Sequence, residues 1–244
     1  MKILNNKTIS STIVISMLLG SFAATGVFAE TSQSDETQLI YQNQKFSSGL
    51  EIKSIKDEKD TRTVTAVENG INTVATFDKE KNTLKLEVEN QEPILLDLNA
   101  ISKSTNSNNN VISPQASLGQ NTWSNFEYDI NMVSPSIWEL RRPDPQSPVT
   151  MRYYKKVTQT TGNQGTLKEF KTAVDDINML EYQVIGYASA SVLTTIIGVI
   201  VTGISAGTGA GTMIVALGLT GKMLDTALKL DRRCNDAYYL YFQV

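Results

Sequence analysis

Histidine is absent from the 244-residue chain, and cysteine occurs once, at Cys234. Without imidazole, the chain cannot build the His-containing zinc and iron sites, the Ser-His-Asp triads or the Cys-His pairs of many enzymes. Paired carboxylates or a Ser-Lys dyad remain open in principle, but spacing alone identifies neither. We therefore expect a protein that is not an enzyme and that holds no metal ion or cofactor.

The first 29 residues have the composition of a secretory signal peptide. Lys2 and Lys7 precede an apolar run over residues 13–24, and slim side chains stand just before Ala29. This run is shorter than the roughly 20 apolar residues that a permanent membrane anchor needs. We predict cleavage between Ala29 and Glu30, which makes the mature protein secreted and extracellular.

The single cysteine excludes a disulfide within the chain. We expect Cys234 to be a small buried side chain, although a free thiol in a secreted protein could join two chains. Because no covalent cross-link stabilises the fold, the protein should unfold readily on heating.

Positive charge is too sparse to suggest a nucleic-acid partner. Residues 30–120 contain nine Lys and Arg against fourteen Asp and Glu, and residues 121–244 contain eleven of each. The front half is therefore acidic and the back half neutral. Neither half has the sustained basic stripe that nucleic-acid binding requires.

Residues 61–98 carry the clearest β signal, four short runs separated by turn sequences: TRTVTAV, INTVATF, TLKLEVE and PILLDL. Val64, Ala66 and Val74 alternate with threonines, which predicts one apolar and one solvated face. We predict an antiparallel β-meander whose apolar face needs a cover, because four short strands make a thin core. The polar residues before it, 30–60, are predicted to be a loosely ordered lead-in with one or two weak strands or a short helix.

Composition divides the chain into four parts and predicts the fold class α+β. The signal peptide covers residues 1–29, and an acidic β-rich N-terminal domain, which could be a pro-region, covers residues 30–100. An Asn- and Ser-rich linker at 101–121 is too polar to fold alone and is the easiest place for an extracellular protease to cut. The C-terminal domain, 122–244, is predicted to contain some strands and a hydrophobic Gly-rich helical hairpin.

Both tryptophans, Trp123 and Trp138, lie close in sequence to five cations: Arg141, Arg142, Arg152, Lys155 and Lys156. Aromatic and cationic side chains together suit an anionic membrane surface. Aromatic residues in a strand region are more often core residues, with the cations as ordinary surface, and we favour this second interpretation.

Helix signals begin at Thr166, after which apolar residues recur every three or four positions. Thr166 would be the N-cap and Glu169 would complete a capping box. We predict an amphipathic helix over residues 166–180 that runs into an uncharged segment. The last residues, DAYYLYFQV, could form a strand that pairs with residues 149–157 or an aromatic anchor at a membrane interface, and we favour the strand.

The uncharged segment is the forty residues between Glu181 and Lys222, and it holds eight of the 15 glycines. Its first arm, 184–203, is long enough to cross a bilayer as a helix, whereas the second arm, 212–230, carries charges that oppose insertion. Between them, GISAGTGAG contains four glycines, each about 1 kcal/mol less favourable than alanine in a helix. We predict a helical hairpin that turns at these glycines.

The candidate functional residues are those of this hairpin. Gly203, Gly207 and Gly211 recur at every fourth position, and in lipid they would form a face for close helix contact and self-association. Lys222 and Asp225 stand three apart and are predicted to pair. The predicted membrane hairpin comprises the following residues: Val184, Gly198, Gly203, Gly207, Gly211, Gly218, Lys222 and Asp225.

The order of these parts, with the segment VIVTGISAGTGAGTMIVALGLTGK, resembles the large heat-labile secreted bacteriocins of Gram-positive bacteria of the geobacillin type. The resemblance is one of layout over most of the chain. It implies killing of related bacteria, and it assigns no catalytic or binding residues to this sequence.

Three functions are open for the hairpin, and we expect the first. A secreted antibacterial protein would release it into the membrane of a target cell, with or without a receptor there. Residues 184–203 could instead anchor a cell-surface protein, with Lys222 and the later cations on the cytoplasmic side. In the third, the hairpin is the buried centre of a soluble extracellular binding or structural protein.

Overall fold

The computed structural model describes residues 38–41, 44–46, 49–104, 122–144 and 152–244. The predicted signal peptide, the cleavage site at Ala29 and Glu30, and most of the predicted linker lie outside the described residues. The described part contains two antiparallel sheets and a set of helices that follow them, so the predicted α+β class is confirmed.

The strands are β1 Gln38–Tyr41, β2 Gln44–Lys45, β3 Leu50–Asp57, β4 Thr61–Glu68, β5 Ile71–Asp78, β6 Thr83–Val88, β7 Ile94–Asp97, β8 Glu127–Asn131, β9 Ile137–Pro143 and β10 Arg152–Thr158. The helices are α1 Leu98–Ser104, α2 Gln164–Tyr187, α3 Ala190–Ala206, α4 Gly211–Ala216 and α5 Gly221–Gln243.

The first sheet has seven strands in the order β1-β3-β4-β5-β6-β7, with β2 also paired to β3. Strands β4 to β7 follow the predicted meander. The prediction of a loosely ordered lead-in was wrong for β3, because Leu50 and Ile52 are buried and the strand pairs along β4.

An Asn-Gly turn joins β4 to β5, with Asn69 at φ 52° and Gly70 at φ 83°. Positive φ at both residues is the geometry that a two-residue hairpin turn favours. It pairs Ala66 with Thr73. Because directly opposed residues point to the same face, Thr73 lies on the core face, and the prediction that placed Val74 there was wrong.

The second sheet has the order β10-β9-β8. Trp138 and Leu140 on its central strand are buried, and Trp123, just before β8, is partly buried against the core. The interpretation of the tryptophans as core residues is therefore confirmed for Trp138.

The predicted amphipathic helix exists as α2 but begins earlier, at Gln164, with Asn163 as its N-cap. The capping box at Thr166 and Glu169 was a wrong prediction. Thr160 and Asn163 bond each other instead: Asn163 Oδ1 accepts the N–H of Thr160 at 2.8 Å, and Thr160 Oγ1 accepts the N–H of Asn163 at 3.3 Å. This turn starts the helix before Thr166.

The prediction of a terminal strand was wrong, because the last residues belong to helix α5. Leu230, Cys234, Ala237 and Tyr241 are buried and recur every three or four residues. This period gives α5 an apolar stripe that packs on α2 and outweighs the β propensity of its tyrosines. Cys234 is buried, as predicted.

Both predicted arms of the hairpin are interrupted. The first arm is divided between α2 and α3, and Ser189 caps α3 by accepting the N–H of Val192 on its Oγ at 3.3 Å. The second arm is divided between α4 and α5, with Gly218 at φ 79° in the connection. The turn itself lies where predicted, at Gly207 and Gly209, which have φ of 72° and 83°.

Helix α3 lies at the centre of the packing. Helix α4 contacts β3, β4 and β5, α1 packs on α3, and α2 packs along α5. Phe170 near the start of α2 contacts Tyr241 near the end of α5, and Asp176 pairs with Arg233, so these two helices run in opposite directions. The described parts of the predicted domains at 30–100 and 122–244 thus contact each other within one compact unit, Gln33–Val244.

Candidate functional site

The Gly-rich hairpin is buried rather than displayed. On α3, Leu193, Ile196, Val199 and Ile200 are inaccessible to solvent, and on α4 Met213 and Ile214 are too. The side chains that would face lipid in a membrane therefore face the protein core in this structure.

Two glycines of α3 are sites of close approach. A Cβ at Gly203 would lie 2.4 Å from the backbone oxygen of Gly209, so only glycine lets the turn fold back on the helix. A Cβ at Gly198 would lie 2.8 Å from the side chain of Ile101 on α1. These glycines therefore serve packing within the fold, and Gly203, Gly207 and Gly211 do not share one helix here.

Glu68 joins the first sheet to the turn of the hairpin. Its carboxylate accepts the N–H of Gly211 at 2.8 Å, the N–H of Thr212 at 3.2 Å and the hydroxyl of Thr212 at 3.1 Å. The side chain is 4 % exposed. Burial raises the pKa of Glu68 above its ordinary value, although these three donors oppose the rise.

Neighbouring side chains extend this contact. The hydroxyls of Thr73 and Thr212 share a hydrogen bond of 2.7 Å, and Asn69 Nδ2 donates to the carbonyl oxygen of Thr208 at 3.4 Å. We call Glu68, Asn69 and Thr73 with their partners Thr208, Gly211 and Thr212 the sheet–turn contact. It is polar, although it lies among apolar side chains.

Asp231 on α5 holds the same turn from another element. Its Oδ1 accepts the N–H of Ala210 at 3.3 Å and a proton of Asn235 Nδ2 at 3.0 Å. Burial, followed by the nearby charge of Glu68, raises the pKa of Asp231 well above its ordinary value. Two buried carboxylates thus bind three successive N–H groups of the turn, those of Ala210, Gly211 and Thr212.

A third buried carboxylate, Glu181 on α2, accepts the N–H groups of Trp123 and Ser124, each at 2.8 Å. It fixes the segment before β8 to the helix that leads into the hairpin. Burial raises the pKa of Glu181 to about 7, while these donors oppose the rise. A group with this pKa titrates near neutral pH, unlike an ordinary glutamate.

The structure places the remaining predicted residues apart from one another. Val184 is buried in α2, and Gly218 lies against Arg62 of β4 in the connection between α4 and α5. Lys222 and Asp225 are exposed at the start of α5. Their predicted pairing was wrong, since Asp225 binds Lys229 at 2.7 Å, one helical turn further along.

Sequence reasoning missed the three carboxylates, although Glu68 and Glu181 left a signal. Glu68 stands two residues beyond Ala66 in an alternating strand, so it falls on the core face. A charged residue at an apolar position marks a group that needs a buried partner. Glu181 left a comparable signal, because it stands four residues after Ile177 and three before Val184 on the apolar stripe of α2.

The described residues contain no cluster of three or more Cys, Asp or Glu side chains arranged to hold a metal ion. The chemistry of this site is hydrogen bonding between carboxylates and backbone N–H groups, which holds a turn in place. Among the helices in the described ranges, none combines the length and apolar content needed to cross a bilayer.

Comparisons of the chain with protein-family profiles, with curated proteins and with solved structures found no match.

Proposed function

We propose that this chain is a secreted antibacterial protein that acts on the membrane of related Gram-positive bacteria through its Gly-rich hairpin. The observation that carries the proposal is the sheet–turn contact, in which polar side chains of the N-terminal sheet hold an otherwise uncharged segment. A purely structural core needs apolar packing there and gains little from a buried carboxylate, whose desolvation is costly.

The contact provides a way to keep the hairpin soluble and then release it. Helix α3 has 17 residues, which is about 25 Å of helix against about 30 Å of bilayer core. In water its apolar surface must stay covered by α1, α2, α4 and α5. At a membrane, lipid replaces that cover, so the main barrier to release is breaking the bonds to the turn.

Thr73 and Thr212 offer a direct test, because their hydroxyls are in contact. Thr73→Cys with Thr212→Cys places two thiols within reach of a disulfide that would lock the turn to the sheet. We expect the oxidised variant to lose dye release from anionic liposomes and growth inhibition of related strains, and we expect a reducing agent to restore both.

The single variant Thr212→Cys and the wild-type protein, treated with the same oxidant, are the controls. Full activity of the oxidised double variant would show that the hairpin acts without leaving the sheet. Complete inertness of the mature wild-type protein in both assays would remove the proposal itself.

Burial of the apolar side chains of α3 and α4 also favours a second candidate, a soluble extracellular binding or structural protein. In this case the oxidised and reduced double variants differ in thermal stability alone, and neither releases dye. The anchored cell-surface protein stays a third prediction. If the protein is anchored, it should be found in the alkaline-washed membrane pellet of the producing cells. Recovery of all of the protein from the culture supernatant would contradict the anchor.

A further inference from the structure

A ring cluster surrounds Arg142 where β10 meets the end of α5. The guanidinium carbon lies 4.2 Å from the ring centroid of Tyr153, 5.4 Å from those of Tyr238 and Tyr241, and 5.0 Å from that of Phe242. Distances below about 6 Å are in the range of cation–π attraction. We call Arg142, Tyr153, Tyr238, Tyr239, Tyr241 and Phe242 the aromatic tip.

Arg142 differs from the other arginines of this sheet, Arg141 and Arg152, which both lie near carboxylates. Arg152 pairs with Glu127 at 2.6 Å, and Arg141 lies 3.5 Å from Glu127 and from Glu139. Within the described residues, Arg142 has no carboxylate at ion-pair distance. Its Nη1 donates to the carbonyl of Pro143 at 3.1 Å, and its buried Nε has no partner.

Three rings of the aromatic tip are open to solvent, whereas that of Tyr241 is buried. Tyr153 is 47 % exposed, and Tyr239 and Phe242 are each 57 % exposed. Tyr239 belongs to the same cluster because its ring lies 6.0 Å from that of Tyr238. Lys155 fixes the arrangement: its Nζ donates to the carbonyl of Tyr241 and, at 2.7 Å, to that of Val244, which ties β10 to the end of α5.

We propose that the aromatic tip docks the folded protein on the headgroup layer of an anionic phospholipid membrane. Tyrosine and phenylalanine rings that are half exposed fit the membrane interface, where one side of the ring meets acyl chains and the other meets water. A guanidinium without a carboxylate partner can bind a lipid phosphate in bidentate fashion. This inference rests on the proposed function, since it supplies the step before hairpin release.

A second copy of the chain fits this surface less well than an anionic membrane does. In a two-fold interface each copy presents the same patch, so the two Arg142 side chains would approach each other. Like charges brought together without counterions oppose association. An anionic headgroup layer neutralises Arg142 instead.

Vesicle sedimentation with the full mature chain tests the docking. The probes are vesicles of phosphatidylglycerol mixed with phosphatidylcholine, and vesicles of phosphatidylcholine alone. We expect Arg142→Gln to weaken binding to the anionic vesicles about fivefold. We expect Tyr239→Ser with Phe242→Ser to weaken it about tenfold.

Leu95→Ser is the matched control, because Leu95 is 71 % exposed on β7 of the first sheet, whereas the aromatic tip belongs to the second sheet and α5. Circular dichroism melts check that each variant folds. If Arg142→Gln does not fold, the double variant of Tyr239 and Phe242 still tests the proposal, because both side chains are exposed. Unchanged binding of the variant with both Tyr239→Ser and Phe242→Ser, or an equal loss with Leu95→Ser, overturns the docking proposal. Self-association also overturns it: the wild-type protein would form oligomers in sedimentation velocity without vesicles, and the Tyr239 and Phe242 substitutions would abolish them.

Binding and dye release are recorded separately so that the two proposals fail separately. Wild-type protein that binds anionic vesicles through the aromatic tip but never releases dye supports docking and contradicts the proposed function. Dye release that persists in tip variants with unchanged binding contradicts docking alone.

Discussion

Single buried carboxylates decide how the hairpin is held, and Glu68 is the clearest of them. Its carboxylate accepts hydrogen bonds from two N–H groups and one hydroxyl that are buried away from solvent. No other side chain of the described sheet binds a backbone N–H group of α4. The position is therefore expected to be sensitive to loss of the carboxylate.

Glu68→Ala should lower the free energy of unfolding by at least about 2 kcal/mol, because buried polar groups left without partners cost about 1–3 kcal/mol each. Urea unfolding measures this. Under the proposed function, the same variant should also release dye faster from anionic liposomes.

Glu87→Ala is the control for this change. Glu87 lies on the same sheet, is about half exposed and pairs with Lys85, so its removal should cost about 0.5 kcal/mol or less. If both variants unfold at the same urea concentration, Glu68 does not hold the turn.

At the scale of elements, the backbone of helix α3 lies in direct contact with the backbone of the turn that follows it. This close approach determines which glycines are needed for stability. Gly203 faces the Gly209 carbonyl, whereas Gly186, on an exposed position of α2, has open space around it. The two residues therefore offer opposite outcomes for the same substitution.

Gly203→Ala should destabilise the protein by about 1–3 kcal/mol, since the added methyl group would force the turn off the helix. Gly186→Ala should stabilise it by about 0.5–1 kcal/mol, because alanine is the better helix former and meets no neighbour. Thermal melts of the two variants compare them directly. Equal shifts of the midpoint in the same direction would contradict this account of the packing.

Periodicity predicted the strands of the meander, because a period of two is local and each strand alternates within a few residues. It did not predict the interruptions of the hairpin. The apolar content of residues 184–203 is nearly uniform across Ser189, and the break there depends on a cap and on what packs around it. Likewise, the residue types at the aromatic end of α5 favour a strand, and the segment is helical because its apolar stripe packs on α2.

Buried acids also couple the whole molecule to pH. Glu181 has a pKa of about 7 in the folded protein against an ordinary value of 4.5. The folded state therefore binds this proton more tightly than the unfolded chain does. Its stabilising contribution is complete below pH 4.5 and is lost as the pH rises through about 7.

We expect the free energy of unfolding to fall by on the order of 3 kcal/mol between about pH 4.5 and about pH 8. Burial raises the pKa of Glu68 and of Asp231 as well, so both act in the same direction. Urea unfolding across this range, followed by tryptophan fluorescence, measures the slope.

Glu181→Gln isolates the contribution of one group, because the amide does not titrate. The variant should show a flatter dependence on pH, whatever its absolute stability. A wild-type protein that becomes more stable from pH 5 to pH 8 would contradict the assignment.

The sequence by itself determined the α+β class, the meander, the amphipathic helix before the uncharged segment and the glycine turn. Each of these depends on residues close together in the chain, through periodicity, turn chemistry or the cost of glycine in a helix. The tertiary structure decided what covers the hairpin, where its helices break and which carboxylates bind its turn. Glu68 and Gly211 are 143 positions apart, and no local pattern relates them. Only the packing of the sheet on α4 brings the carboxylate to the N–H group.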